Sequence, residues 1–228
     1  MKKLKRFIIV LFILIAIFAV YVEIVNRNTK NMTYRQKVLK AVYPALMWFT
    51  SLTGKNTKKM ENTAIKTPIT SFYDLKTTMN DGQELLLSSL KGKKILLVNT
   101  ASDCGYTNQY EDLQKLYELN KDKLVIIAFP ANDFKEQEKG TDNEIAAFCK
   151  KNYGITFPLA IKSTVVKSTQ QNPVFQWLTD PAKNGWCNQS PFWNFSKYLV
   201  NENGVLINYF SAAVSPLSEE VLNAIQNK

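Results

Sequence analysis

The stretch from Ile95 to Tyr117, ILLVNTASDCGYTNQYEDLQKLY, constrains the fold more than any other part of the chain. Ile95, Leu96, Leu97 and Val98 form an unbroken apolar run, the pattern of a central strand covered on both faces. Past a short polar turn, Tyr110, Leu113, Leu116 and Tyr117 recur at helical spacing, which predicts a helix from about Thr107 to Asn120. A second apolar run, Leu124 to Phe129, then reads as another buried strand. Strand, helix and strand in this order imply a right-handed crossover and a parallel pair.

Cys104 and Gly105 fall where that strand turns into the helix. The first N–H groups of a helix have no partner inside it, and the dipole is positive there, so a thiolate at that point is favoured. Free cysteines commonly behave as small buried hydrophobes. Here Ala101, Ser102, Asp103 and Gly105 are small or polar, which predicts a sulfur that is not deeply covered. Lowering a thiol from about 8.5 to near 7 takes roughly 2 kcal/mol. A helix terminus supplies typically about 0.3–1 kcal/mol, so further donors to the sulfur are expected.

The rest of the composition excludes several chemistries. The chain of 228 residues has no histidine, which removes Ser-His-Asp and Cys-His arrangements and any histidine metal site. Its three cysteines are too far apart for a zinc knuckle or a disulfide framework, and no metal or cofactor is expected. The net charge of +10 is concentrated before Lys66, at Lys2, Lys3, Lys5, Arg6, Arg35, Lys37, Lys40, Lys55, Lys58 and Lys59. We read it as membrane topology and surface solvation, not as a nucleic-acid site.

Residues 1–28 open with four basic residues, Lys2, Lys3, Lys5 and Arg6, followed by an apolar run from Phe7 to Val22. As a helix that run spans about 24 Å, between a short signal-peptide core and a full membrane span. Two readings stay open: a retained single-pass anchor, or a cleaved leader that leaves a secreted or periplasmic protein. In both, the basic end stays in the cytoplasm and the remainder crosses. Residues 29–67 are an amphipathic stretch and a linker. Thr33 to Phe49 suits either the membrane interface or packing on the following domain, and Pro44 is expected to kink or end any helix there. Ser51 to Thr67 is polar, lysine-rich and without periodicity.

The globular domain is expected at 68–228. It opens with a hairpin, Phe72 to Leu75 and Glu84 to Leu87 around Asn80-Asp81-Gly82. After the crossover come helices at Asp142 to Lys151 and Asn172 to Leu178, with the acidic first turn of the former suiting the dipole. A hairpin of Lys197 to Val200 and Val205 to Phe210 turns at Asn203-Gly204, and a helix from Ser218 to Gln226 closes the chain. A parallel pair joined to late antiparallel strands and flanked by helices is an α/β, thioredoxin-like fold with a central mixed sheet.

Three ordered blocks carry a family resemblance: NTASDCGYTNQYEDLQKLYE, FPANDFKEQEKGTDNEIAAFCKKNYGITFP and WNFSKYLVNENGVLINYFS. Together they span roughly Ile69 to Ile225 and resemble the glutathione peroxidase family in its cysteine form. The resemblance implies a thiol peroxidase in which Cys104 works beside a glutamine, a tryptophan and an asparagine. Trp193 and Asn194 match the last two, and both carry N–H donors. The family's Asn-Gln-Phe is Asn132-Asp133-Phe134 here. An ionised Asp133 some ~5 Å from the sulfur would repel a thiolate by roughly 3 kcal/mol at an effective dielectric near 20. Asp133 is therefore expected to be protonated, to point to solvent or a lysine, or to act as proton acceptor for the thiol, with Asn132 as an alternative donor. Cys149 stands where thioredoxin-dependent members carry a resolving cysteine, while Cys187 has no assigned role. The expected substrates are hydrogen peroxide and organic or lipid hydroperoxides. The expected reductant is a thioredoxin-like protein or glutathione. The alternative is a membrane-anchored redox sensor or thiol-disulfide interaction module with little peroxidase turnover.

Overall fold

Seven consecutive buried residues, Lys94–Thr100, form β4, the strand around which the sheet is built. The computed structural model describes residues 2–55 and 57–226. Met1, Asn56 and residues 227–228, at the expected domain ends and in the linker, lie outside the described residues. β5 (Leu124–Pro130) runs parallel to β4, with Ile95 opposite Val125 and Thr100 opposite Pro130. α3 (Gln109–Asn120) makes the crossover between them. On the other side of β4 lie β6 (Lys197–Val200), then β7 (Leu206–Phe210), both antiparallel to their neighbours, and the edge strand β1 (Lys59–Glu61). This is the thioredoxin-like arrangement expected from the order of elements.

The two-residue period of the strands divides the core into two layers. Leu96 and Val98 face one layer, with Leu113 and Leu116 of α3, Ile145 and Cys149 of α4 (Asp142–Tyr153), and Val221 and Ile225 of α7 (Glu219–Gln226). Ile95 and Leu97 face the other, with Phe72, Leu87, and Phe175 and Trp177 of α5 (Pro173–Leu178). α6 (Pro181–Asn184) follows α5 directly.

Three local readings differ from the structure. The expected first arm of the early hairpin is a single 3-10 turn at Phe72–Asp74, because Phe72 is fully buried and the Ser71 hydroxyl caps the Tyr73 N–H. The hairpin forms one step later, from β2 (Lys76–Thr78) and β3 (Glu84–Leu86). Within the stretch expected to be a linker, β1 pairs with Asn208–Phe210, and the Asn62 side chain donates to the carbonyls of Lys66 and Leu206. A polar three-residue strand has no periodicity to detect; pairing with an existing edge is what orders it. The late hairpin turns as expected at Gly204, whose φ of 78° and close approach to the Tyr73 ring both require glycine.

α1 (Lys2–Val25) is long and apolar enough to cross a membrane, and its apolar side chains are almost all exposed. α2 (Tyr34–Thr53) starts in a capping box between Thr33 and Gln36 and ends at left-handed Gly54. It continues through Pro44, correcting the expectation of a break there. A proline removes one intrahelical N–H, and here the turn around it is held by the burial of Ala41 and Tyr43 and the packing of Leu46 and Met47 on the core. Lys40 pairs with Glu111 at 2.8 Å and the Tyr43 hydroxyl donates to Asp112 at 3.2 Å, so α2 lies against α3. Trp48, Phe49 and Leu52 at its end stay exposed. α1 is fastened to α2 by the Lys37–Glu23 pair and by Asn26 donating to the Lys37 carbonyl.

The register places the Met60 N–H against Tyr209. Met60→Pro should therefore cost about 1–2 kcal/mol and lower Tm by roughly 2–8 °C in a thermal melt. An unchanged Tm would show that β1 adds nothing to the sheet.

Candidate functional site

In open α/β sheets, sites gather where parallel strands end. The C-terminal end of β4 meets the N-terminal end of β6 here, and each contributes a loop. Cys104 lies in successive tight turns between β4 and α3, four residues ahead of the helix N-cap Asn108. The sulfur thus sits at the expected junction of strand and helix, ahead of the first helical turn, and takes no share of that turn's N–H groups. It is served instead by its own turn, where the Tyr106 N–H donates to Sγ at 3.4 Å. Thr107 holds the turn closed by accepting the Cys104 N–H at 2.9 Å and donating to the Ala101 carbonyl at 2.8 Å.

From the β6 side, the side chains of Trp193 and Asn194 approach the same sulfur and draw its thiol down. Their loop is clamped to β4 by Asn99. The Asn99 side chain donates to the Trp193 carbonyl at 3.1 Å and accepts the Ser196 N–H at 3.0 Å, and its own carbonyl accepts the Phe195 N–H. Phe195 sits between them at a φ of 70°, a left-handed conformation that costs a bulky residue of order 1–3 kcal/mol. Burial against Tyr110, ring to ring at 5.4 Å, holds it there, and the ammonium of buried Lys197 donates to the Phe195 carbonyl at 2.8 Å. A third loop closes the site. Lys135 and Glu136 are both left-handed, which turns Gln137 inward to accept from Asn194 Nδ2 at 3.1 Å. Lys135 also lies over the Trp193 ring at 5.7 Å. Asn99 and Gln137 were not singled out from the sequence, and nothing in a lone polar residue's position there marks it.

Cys104 is 0% exposed, against the expectation of a lightly covered sulfur. Burial pushes its thiol up, while the Tyr106 N–H, Trp193, Asn194 and the charge of Arg35 pull it down. The net direction is upward. Asp133 is turned away: its carboxylate accepts the Val165 N–H at 2.8 Å. Burial raises that carboxyl and the amides of the 165–166 segment lower it. Asn132 does not face the sulfur as a donor; its side-chain oxygen accepts the Glu138 N–H at 2.9 Å.

Cys149 lies in α4 within the same core layer as Cys104, and both are free thiols. Burial pushes Cys149 up to about 12, with the nearby Tyr110 hydroxyl pulling the other way. Between the two cysteine elements sits Glu138, 1% exposed, accepting from the Ser102 hydroxyl at 3.0 Å. Burial raises its carboxyl to about 7. Cys187 belongs to the opposite layer. Among the described residues no group of three histidine, cysteine, aspartate or glutamate side chains could hold a metal ion.

The sequence model of glutathione peroxidase matches residues 72–179. A glutathione peroxidase-like peroxiredoxin of Schizosaccharomyces pombe is 44% identical over 157 residues, 68% of this chain and 97% of that one. The chain belongs to the glutathione peroxidase family. That membership makes it a peroxidase of the oxidoreductase class. The glutathione peroxidase homolog BsaA of Staphylococcus epidermidis is 45% identical over 64% of this chain and 92% of its own length. Among solved structures, the apo form of Trgpx is 32% identical with a TM-score of 0.53, covering 70% of this chain and 97% of that one. About a third of this peroxidase has no counterpart in these relatives.

Glu138 gives this site a pH signature. Its folded value near 7 lies above the ordinary 4.5, so the folded state holds the extra proton between those values. Its contribution to stability is complete below pH 4.5 and declines as pH rises through 7. Glu138→Gln should flatten the fall in Tm across that window and raise Tm at pH 8, as read by calorimetry at a series of pH values. A parallel pair of curves would show that the carboxyl is not buried as described.

Proposed function

We propose that this peroxidase reduces hydroperoxides at Cys104 and recycles through Cys149. The observation that carries the reading is a buried sulfur that accepts the Tyr106 N–H and stands beside Trp193 and Asn194, whose side chains also draw its thiol down. Donors so placed stabilise negative charge as it develops on sulfur and on the departing oxygen. The thiol sulfur attacks the distal peroxide oxygen and the O–O bond breaks. The thiol proton passes to the leaving oxygen, giving water or an alcohol and a sulfenic acid on Cys104. The Cys149 thiol then attacks that sulfur, forming a disulfide and releasing water. Its seat in the middle of α4 means the helix must open locally before the sulfurs come within bonding range. A dithiol donor of the thioredoxin kind then restores both thiols, a role that a resolving cysteine favours over glutathione.

Hydrogen peroxide and organic or lipid hydroperoxides are the proposed substrates. Residues 68–228 form the peroxidase domain, with 29–67 joining it to the apolar segment 1–28. The basic residues in the first turns of α1 favour a cytoplasmic N-terminus and a catalytic domain on the far side, anchored or, after cleavage, released.

A second reading, a redox sensor with slow turnover, is favoured by one observation: burial raises both cysteine thiols. Peroxide treatment followed by mass spectrometry separates the two. The peroxidase reading expects a Cys104–Cys149 disulfide, no peroxide consumption by Cys104→Ser, and at least tenfold loss of thioredoxin-driven turnover in Cys149→Ser. A Cys149→Ser protein that turns over as fast as the parent would remove the resolving role. Single oxidation without multiple turnover in the parent protein would establish the sensor.

A further inference from the structure

α2 lies outside residues 72–179, the part of the chain that matches the family, yet it grips the turn that carries Cys104 at three points. Arg35 pairs with the Asp103 carboxylate and donates to the Asp103 carbonyl at 3.1 Å. Gln36 Nε2 donates to the Ser102 carbonyl at 3.1 Å. Leu46 packs so closely over Gly105 that a side-chain carbon there would meet it at 3.5 Å. Ser102, Asp103 and Gly105 are therefore all touched by a helix that the relatives' length leaves no room for.

Asp103 is the nearest carboxylate to Cys104 along the chain. Unpaired, it would oppose negative charge on the neighbouring sulfur. We propose that Arg35 is a positioning residue for Cys104: it cancels the Asp103 charge and fixes the 102–105 turn, so that the reactive sulfur is tuned from outside the peroxidase domain. This rests on the reading of Cys104 as the peroxide-reducing sulfur. The electrostatic direction agrees, since the Arg35 charge draws the Cys104 thiol down against burial. Other charged or titratable groups around that sulfur are already committed. Lys40 of α2 is paired with Glu111 of α3, and from α4 the Tyr153 ring lies under Lys40 at 5.1 Å. On the cysteine's own turn, the Tyr106 hydroxyl is raised by burial. On the third loop, Glu138 accepts from Ser102, and Asp133 faces Val165. Arg35 is left as the group that answers Asp103.

The test uses the full chain in detergent and reads Cys104 directly. Single-turnover oxidation by hydrogen peroxide is followed from pH 5 to 10, and the thiol titration is read independently from the 13Cβ shift of labelled cysteine. Arg35→Ala should move both midpoints upward and slow oxidation about three- to tenfold at pH 7, with the high-pH plateau unchanged. Arg35→Lys should stay within about twofold of the parent. Adding Asp103→Asn to Arg35→Ala should return the midpoint to the parent's or below. A midpoint unmoved by Arg35→Ala, or a loss of rate equal at every pH and not rescued by lysine, overturns the proposal. If peroxide fails to oxidise Cys104 in the parent protein, the peroxidase reading falls, while the 13C titration still decides whether Arg35 tunes the sulfur.

Discussion

A sulfur placed inside a protein core loses the water that would hold its charge, and that cost sets the terms for the whole site. Burial alone drives the Cys104 thiol upward. Opposing it are N–H groups from two chain segments far apart in sequence, the 104–107 turn and the 193–194 loop, with an arginine charge from a third. No single donor offsets the burial, because one helix terminus or one hydrogen bond contributes only about 1 kcal/mol. The site works as a set or not at all. That makes the positions of loops, more than the identity of the cysteine, the feature that the fold has to secure.

The means of securing them lie one step behind the sulfur. Asn99 commits its side-chain amide and both backbone groups to the 193–196 loop, which ties the tryptophan and asparagine to the same strand that leads to the cysteine. Lys197, buried and drawn down to about 7, spends its ammonium on Gln109 and on the carbonyl of left-handed Phe195. Gln109 in turn donates to the Ala212 carbonyl, so that α3, the β6 entry and the segment after β7 share one polar network. A buried network of this kind favours one arrangement because any displaced member leaves an unpaired polar group in a low-dielectric interior. Phe195 shows the same logic in its backbone, a strained φ kept in place by the packing around it.

The first third of the chain is joined to this network rather than appended to it. α1 is bound to α2 through Glu23, Asn26 and Lys37, and α2 reaches residues 102, 103 and 105 and, through Lys40, the ring of Tyr153 in α4. One helix therefore contacts both cysteine-bearing elements and also the helix long and apolar enough to cross a membrane. The amphipathic pattern of residues 33–49 serves two surfaces: Tyr43, Leu46 and Met47 face the protein, while Trp48, Phe49 and Leu52 are left exposed at the end.

By itself the sequence determined the elements and their order. The apolar run at Ile95–Val98, the helical spacing after it and the Asn-Gly turn at 203–204 are local patterns, and local patterns follow from the periods of strand and helix. The cysteine, tryptophan and asparagine of the site were legible as well, through ordered blocks shared with a family. Only the tertiary structure decided how those residues are served. It seated Cys104 ahead of the helix and buried it, turned Asp133 toward Val165, and brought in Asn99, Gln137 and Arg35 from three other segments. Hydrogen bonds between residues 32 to 97 positions apart leave no periodic trace along a chain, and burial is a property of what packs above a residue, not of its neighbours in sequence.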